Sequence, residues 1–199
     1  MMLIEETGVS QAALPLAEFK AHLRLGTGFS EEGLQDPVLE SFLRAAMAAI
    51  EARTGKVLIR RAFHWTQMAW RAPEGQPMPV APVTQITSLV LRSRGGDQEA
   101  IPPAFYWLEV DAHRPVLRPQ GAMLPVIPRG GTAEIVFEAG FAVAWGDLPA
   151  DLAQAVLLLA AHYYDYRDET ALGDGCMPFG VSSLIERYRT VRLFHGRTG

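Results

Sequence analysis

A single glycine, Gly55, separates two hydrophobic periods that no one element can satisfy. Before it, Leu39, Phe42, Leu43, Ala46, Met47 and Ile50 recur at helical spacing, while Glu40, Arg44 and Glu51 take the other face. Asp36-Pro37 reads as the start of that helix, with Asp as N-cap and Pro at the first helical position. Gly55 is its natural C-cap. Beyond it the period falls to two: from Arg61 to Trp70, Phe63, Trp65 and Ala69 alternate with His64, Thr66 and Met68. Val83 to Leu91, Phe105 to Val110 and Ala133 to Phe137 read as further strands, and Gly95-Gly96-Asp97 as a hairpin turn, for four or five strands in all. Ten prolines between Pro73 and Pro128 predict short strands with exposed edges and loops, not a large continuous sheet.

Helical spacing returns after Leu148-Pro149. The stretch from about Ala150 to Asp168 is apolar almost all round in its first half, with Gln154 the main exception. Such a helix is buried on more than one side. Two covers stay open: a neighbouring subunit approaching over Ala153, Val156, Leu157, Ala160 and Ala161, or the β zone of the same chain. At the other end of the chain, Pro15 opens a short helix carrying Leu16, Phe19, Ala21 and Leu23. A last short helix, about Ser182 to Arg189, leads into the terminal segment. The order helix, strand, helix gives one domain over 1–199: helices over 1–56, a β-rich insertion over 57–140, helices over 148–190 and a basic tail over 191–199. The fold class expected is α+β but mainly α, a helical core of two N-terminal and two C-terminal helices with a central insertion of short antiparallel strands.

Composition removes several function classes. Nearly half the residues are apolar, which excludes disorder, and the net charge of −4 argues against a simple nucleic-acid binder. The single cysteine, Cys176, excludes a disulfide framework and a Cys-rich zinc site. The N-terminus, Met-Met-Leu-Ile-Glu-Glu, lacks the pattern of a signal peptide, and the longest apolar run, Ala155 to Ala161, is too short to cross a bilayer. The expectation is a soluble chain, made inside the cell and without a membrane role.

Catalytic patterns are sparse. His162 and Asp165 stand three apart on one helix, a possible metal pair, but nothing completes it, and a helix-end hydrogen-bonding network explains them better. Ser182-Ser183 has no nucleophile elbow, Cys176 no evident His, and neither Gly95-Gly96 nor Gly130-Gly131 fits a phosphate cradle. Trp65, Trp70, Trp107 and Trp145 read as core or interface anchors. No catalytic residue, metal or cofactor is expected. Charge is uneven: residues 187–199 hold Arg187, Arg189, Arg192 and Arg197 with no acid, interleaved with Tyr188, Leu193 and Phe194. Leu193 and Phe194 are poor choices for a free tail, so docking on an acidic partner is favoured over fraying. The arginines also suit DNA phosphate.

Four stretches resemble the head-tail connector, or adaptor, proteins of long-tailed phages and phage-derived gene transfer agents. They are Leu16-Ala17-Glu18-Phe19-Lys20-Ala21-His22-Leu23-Arg24; Ile50-Glu51-Ala52-Arg53-Thr54-Gly55-Lys56-Val57-Leu58; Phe137-Glu138-Ala139-Gly140-Phe141 with Leu148-Pro149 and the helix ending Ala161-His162-Tyr163-Tyr164-Asp165-Tyr166-Arg167; and Met177-Pro178-Phe179-Gly180-Val181 running into Leu184-Ile185-Glu186-Arg187-Tyr188-Arg189. They occur in order almost end to end, while the proline-rich middle zone matches poorly. The resemblance implies a non-enzymatic structural subunit in the neck of a virion or phage-like particle. Its partners would be itself in a ring, usually twelve copies, the portal protein above, a stopper or other tail-side neck protein below, and DNA passing without sequence specificity. On that reading Arg187, Tyr188, Arg189, Arg192, Leu193 and Phe194 dock on the portal. Competing readings are a stopper or tail-completion protein, and a small accessory enzyme built around His162, Asp165 and a distant histidine.

Overall fold

The computed structural model describes residues 2–25, 35–166 and 177–189. Its elements divide between two hydrophobic cores that meet around Gly55. The helical core gathers α1 (Leu16–His22), α2 (Asp36–Thr54), α3 (Ala150–Asp165) and α4 (Phe179–Ile185), the last continued by a 3-10 turn over Glu186–Tyr188. Phe19, Leu39, Leu43, Ile50, Leu152, Val156 and Ile185 are fully buried there. The helix expected at Asp36-Pro37 forms, but Gln35 takes the N-cap position and Asp36 the first turn, where it pairs with Lys20 of α1. An acid there complements the helix dipole without serving as a cap. Gly55 closes α2 in the left-handed region, φ 68°, its N–H bonded to the Glu51 carbonyl at 2.8 Å.

The strands form two antiparallel sheets. The larger runs in the order β1 (Met2–Glu5), β2 (Arg61–Gln67), β8 (Thr132–Ala139), β4 (Val83–Arg92), β5 (Gln98–Ala100). The smaller runs β3 (Gln76–Pro77), β7 (Val116–Pro119), β6 (Tyr106–Glu109). Alternation decides their inner faces: Phe63, Trp65, Leu89, Ile135 and Phe137 point inward, and the cross-strand pair Phe63–Phe137 stacks at 5.4 Å. Ser93 to Asp97 makes the expected turn between β4 and β5.

Two expectations fail here. The fold is not mainly α: it is 36% helical and 27% strand, a β-rich α+β fold of four helices and two sheets of five and three strands among the described residues. A large continuous sheet does form, because the prolines stand clear of its centre. Pro82 precedes β4, Pro102 and Pro103 follow β5, and Pro77 and Pro119 fall in the small sheet, leaving β2, β8 and β4 uninterrupted. The described helices include none long and apolar enough to cross a membrane.

Candidate assembly surfaces

The two modules are clamped by one buried arginine. Arg61, at the start of β2, bonds Glu51 of α2 through both Nη atoms (2.9 and 2.7 Å) and Glu5 of β1 through Nε and Nη2 (2.9 and 2.8 Å), and it also donates to the Ile59 carbonyl. Burial alone would pull its pKa down, but the hydrogen bonds it donates to both carboxylates hold it above the usual arginine range. Glu51 also accepts the Leu58 N–H at 2.8 Å. This cluster orients the sheet against the helices. Sequence reasoning missed it, because only the backbone path through 55–60 brings Glu51 and Arg61 together.

α3 lies in the helical core with Leu152, Ala155, Val156, Leu159 and Ala160 buried. Within the chain its cover is α2 and α4, with α1 at one side, and not the β zone. Val156 and Ala160 are therefore enclosed within the chain. Ala153, Leu157 and Ala161 are half-buried on the flank, beside the exposed Gln154.

The start of the C-terminal segment is anchored. Tyr188 is buried, meets Phe141 edge-on at 5.6 Å, and donates its hydroxyl to Asp151 Oδ1 at 2.8 Å. Arg187 pairs with Asp151 Oδ2 at 2.7 Å and lies over the Tyr188 ring at 4.7 Å. Burial raises the Tyr188 phenol pKa, a push that Arg187 opposes and Asp151 supports. Arg189 turns to Glu186. Of the six residues expected to dock on a portal, Arg187, Tyr188 and Arg189 are thus engaged within the chain, while Arg192, Leu193 and Phe194 lie outside the described residues, as does Cys176. Phe179, the first residue of α4, is almost fully exposed.

His162 and Asp165, the possible metal pair, both lie in the last turns of α3. His162 packs against the Tyr166 ring at 4.6 Å, and its buried Nε2 has no hydrogen-bond partner among the described residues, so the expected helix-end network is not seen there either. No three His, Cys, Asp or Glu side chains converge as a metal site among the described residues.

No family model matches the chain, and no curated protein matches it. Solved structures do. A chain in the neck of an empty GTA particle, computed with C6 symmetry, is 52% identical over 99% of this chain and 100% of its own, with a TM-score of 0.90. A chain in the virion of a native gene transfer agent particle is 52% identical over the same shares, with a TM-score of 0.86. A third, in the neck of a native GTA particle computed with C12 symmetry, is 49% identical over the same shares, with a TM-score of 0.85.

Proposed function

Since this chain belongs to the family of gene transfer agent neck proteins, we propose that it is the ring-forming adaptor of that neck, seated beneath the portal and presenting a surface to the next tail-side protein. The observation that carries the reading is end-to-end similarity to chains in necks of C6 and C12 symmetry. Twelvefold repetition suits a subunit that continues a DNA channel, and the chain's own features fit a part that works through surfaces. The turn that precedes the basic terminal segment is fixed, because Asp151 holds Arg187 and Tyr188. Residues 190–199 carry Arg192, Phe194 and Arg197, cationic and aromatic side chains. These suit an acidic portal surface.

The test is a chain ended after Arg189, which keeps the anchored turn intact. The reading expects filled heads without tails, and particle density that places the full-length chain directly against the portal ring. Density one layer further from the capsid would make it a stopper instead. Normal tail joining by the shortened chain would remove the docking role of the terminal segment.

A further inference from the structure

Four strand edges border the two sheets, and two of them are guarded. β5 is three residues long, fully exposed, polar at Gln98 and Glu99, and followed by Pro102 and Pro103. β3 is two residues long and contains Pro77. Short length, polar residues and proline are the usual ways of stopping an edge from recruiting another strand.

The other two edges are longer, at four residues each, and the one carboxylate on each, Glu5 or Glu109, is drawn into an ion pair within its own sheet. β1 pairs with β2 only, so among the described residues no strand lies on its outer side. The Glu6 N–H bonds the Ala62 carbonyl, and the antiparallel alternation then turns the backbone groups of Leu3 and Glu5 outward. Its one charge, Glu5, is committed to Arg61, while Met2 and Ile4 are 55% and 47% exposed. β6 pairs with β7 only, and the Gln120 N–H to the Phe105 carbonyl sets an alternation that turns the backbone of Tyr106 and Leu108 outward. Around it Phe105, Trp107 and Val110 are 59%, 43% and 72% exposed. The two edges lie on different flanks: β1 borders the larger sheet beyond β2, whereas β6 packs beside β4 near the opposite border.

We infer that these two edges are the two halves of the contact between neighbouring copies, the Met2–Glu5 edge of one copy seated against the Tyr106–Glu109 edge of the next. The inference rests on the ring reading above and names the surface that builds the ring. A cyclic assembly needs two different, complementary patches on each subunit. These two edges, each with exposed apolar side chains and on different flanks of one module, meet that need. Main-chain pairing would supply affinity, and Ile4 against Trp107 and Val110 would supply register. The paired bonds from Arg61 to Glu5 hold β1 in place on β2, so that its outer edge is presented at a fixed position.

The experiment places cysteines in the full chain carrying Cys176→Ser, then treats assembled particles with a short thiol cross-linker. Ile4→Cys combined with Trp107→Cys is expected to give a ladder of covalent multimers, and either substitution alone none. Met2→Cys with Val110→Cys is a second pair, used if melting shows that the first disturbs the fold. Amide exchange at Leu3 and Glu5 is expected to be fast in the isolated chain and at least tenfold slower in assembled necks. Intact cyclic necks with no ladder from either well-folded pair would overturn this contact and leave the ring reading standing. Absence of the wild-type chain from any cyclic neck would overturn the ring reading itself, and this contact with it. Slow exchange in the isolated chain would mean that the edge is already covered there, which also overturns the inference.

Discussion

Arg61 and Glu51 are joined by two parallel hydrogen bonds beneath the junction of sheet and helices, with the arginine side chain 5% exposed and the carboxylate 14%. Removing Arg61 leaves Glu51 away from water with no counter-charge, and removing Glu51 leaves Arg61 held only by the half-exposed Glu5. Arg61→Met or Glu51→Leu alone is expected to cost about 3–5 kcal/mol, and the double variant much less than the sum, because the stranded charge is then gone. Urea unfolding followed by both tryptophan fluorescence and helical circular dichroism checks this. A single variant within about 0.5 kcal/mol of wild type would show that the clamp does not couple the modules.

Lys56 gives a pH dependence with a definite sign. It is buried, and its nearest acceptor is the His113 carbonyl at a long 3.5 Å. Burial lowers its pKa below 10.5, against a smaller upward pull from Asp111. The unfolded chain therefore binds this proton more tightly than the fold does. The cost of burying the charge is fully present at neutral pH and is relieved as pH rises from the lowered pKa towards 10.5. Lys56→Met is expected to stabilise the protein at pH 7 by about 1–2 kcal/mol and to flatten the rise in stability as pH approaches 10.5, measured as melting temperature against pH. A destabilising Lys56→Met would mean that the ammonium is well solvated or paired.

At the exit of the terminal segment, Tyr188→Phe removes one hydroxyl but leaves the ring on Phe141 and the Arg187–Asp151 pair in place. The expected cost is about 0.5–1.5 kcal/mol by thermal melting. Arg187→Ala, on an exposed side chain, is expected to leave melting nearly unchanged while reducing tail attachment. If the two variants changed tail attachment equally, the exit point would not be set by Asp151.

Local signals were legible and long-range ones were not. Gly55, Asp36-Pro37 and Pro15 marked helix limits to within a residue or so, since caps and prolines act through their own neighbours. The turn at Ser93 to Asp97 was visible for the same reason. β1 was invisible because Met2–Glu5 is too short to show alternation and exists only as a partner for β2. Counting prolines misjudged the sheet, because their number matters less than whether they interrupt β2, β8 and β4. The all-round apolarity of α3 correctly signalled burial on several sides, but the cover came from α2, about a hundred residues away, and from α4. Similarly, the clustered arginines at 187 and 189 looked free in sequence and are held by Asp151 and Glu186 in space.

Gly140 is where the sheet returns to the helices, and its backbone makes the sharpest prediction. Its φ is 146°, and a Cβ there would lie 2.4 Å from both Cα and N of Arg60 and 2.8 Å from the Ile59 carbonyl carbon. All three are main-chain atoms, fixed on either side because Arg60 N–H bonds the Ala142 carbonyl at 2.7 Å and Gly140 N–H bonds the Pro82 carbonyl at 3.0 Å. No rotamer change can relieve the overlap, so the 55–61 and 139–142 segments must separate. That separation would pull Arg61 away from Glu51. Gly140→Ala is therefore expected to cost at least about 2 kcal/mol, combining backbone strain with loss of the clamp. Gly146→Ala, in open space, serves as the control and is expected within about 0.5 kcal/mol of wild type. In an Arg61→Met background the cost of Gly140→Ala should shrink, because the clamp it disrupts is already absent. Equal costs in both backgrounds would mean that the close approach and the clamp are independent features of the junction.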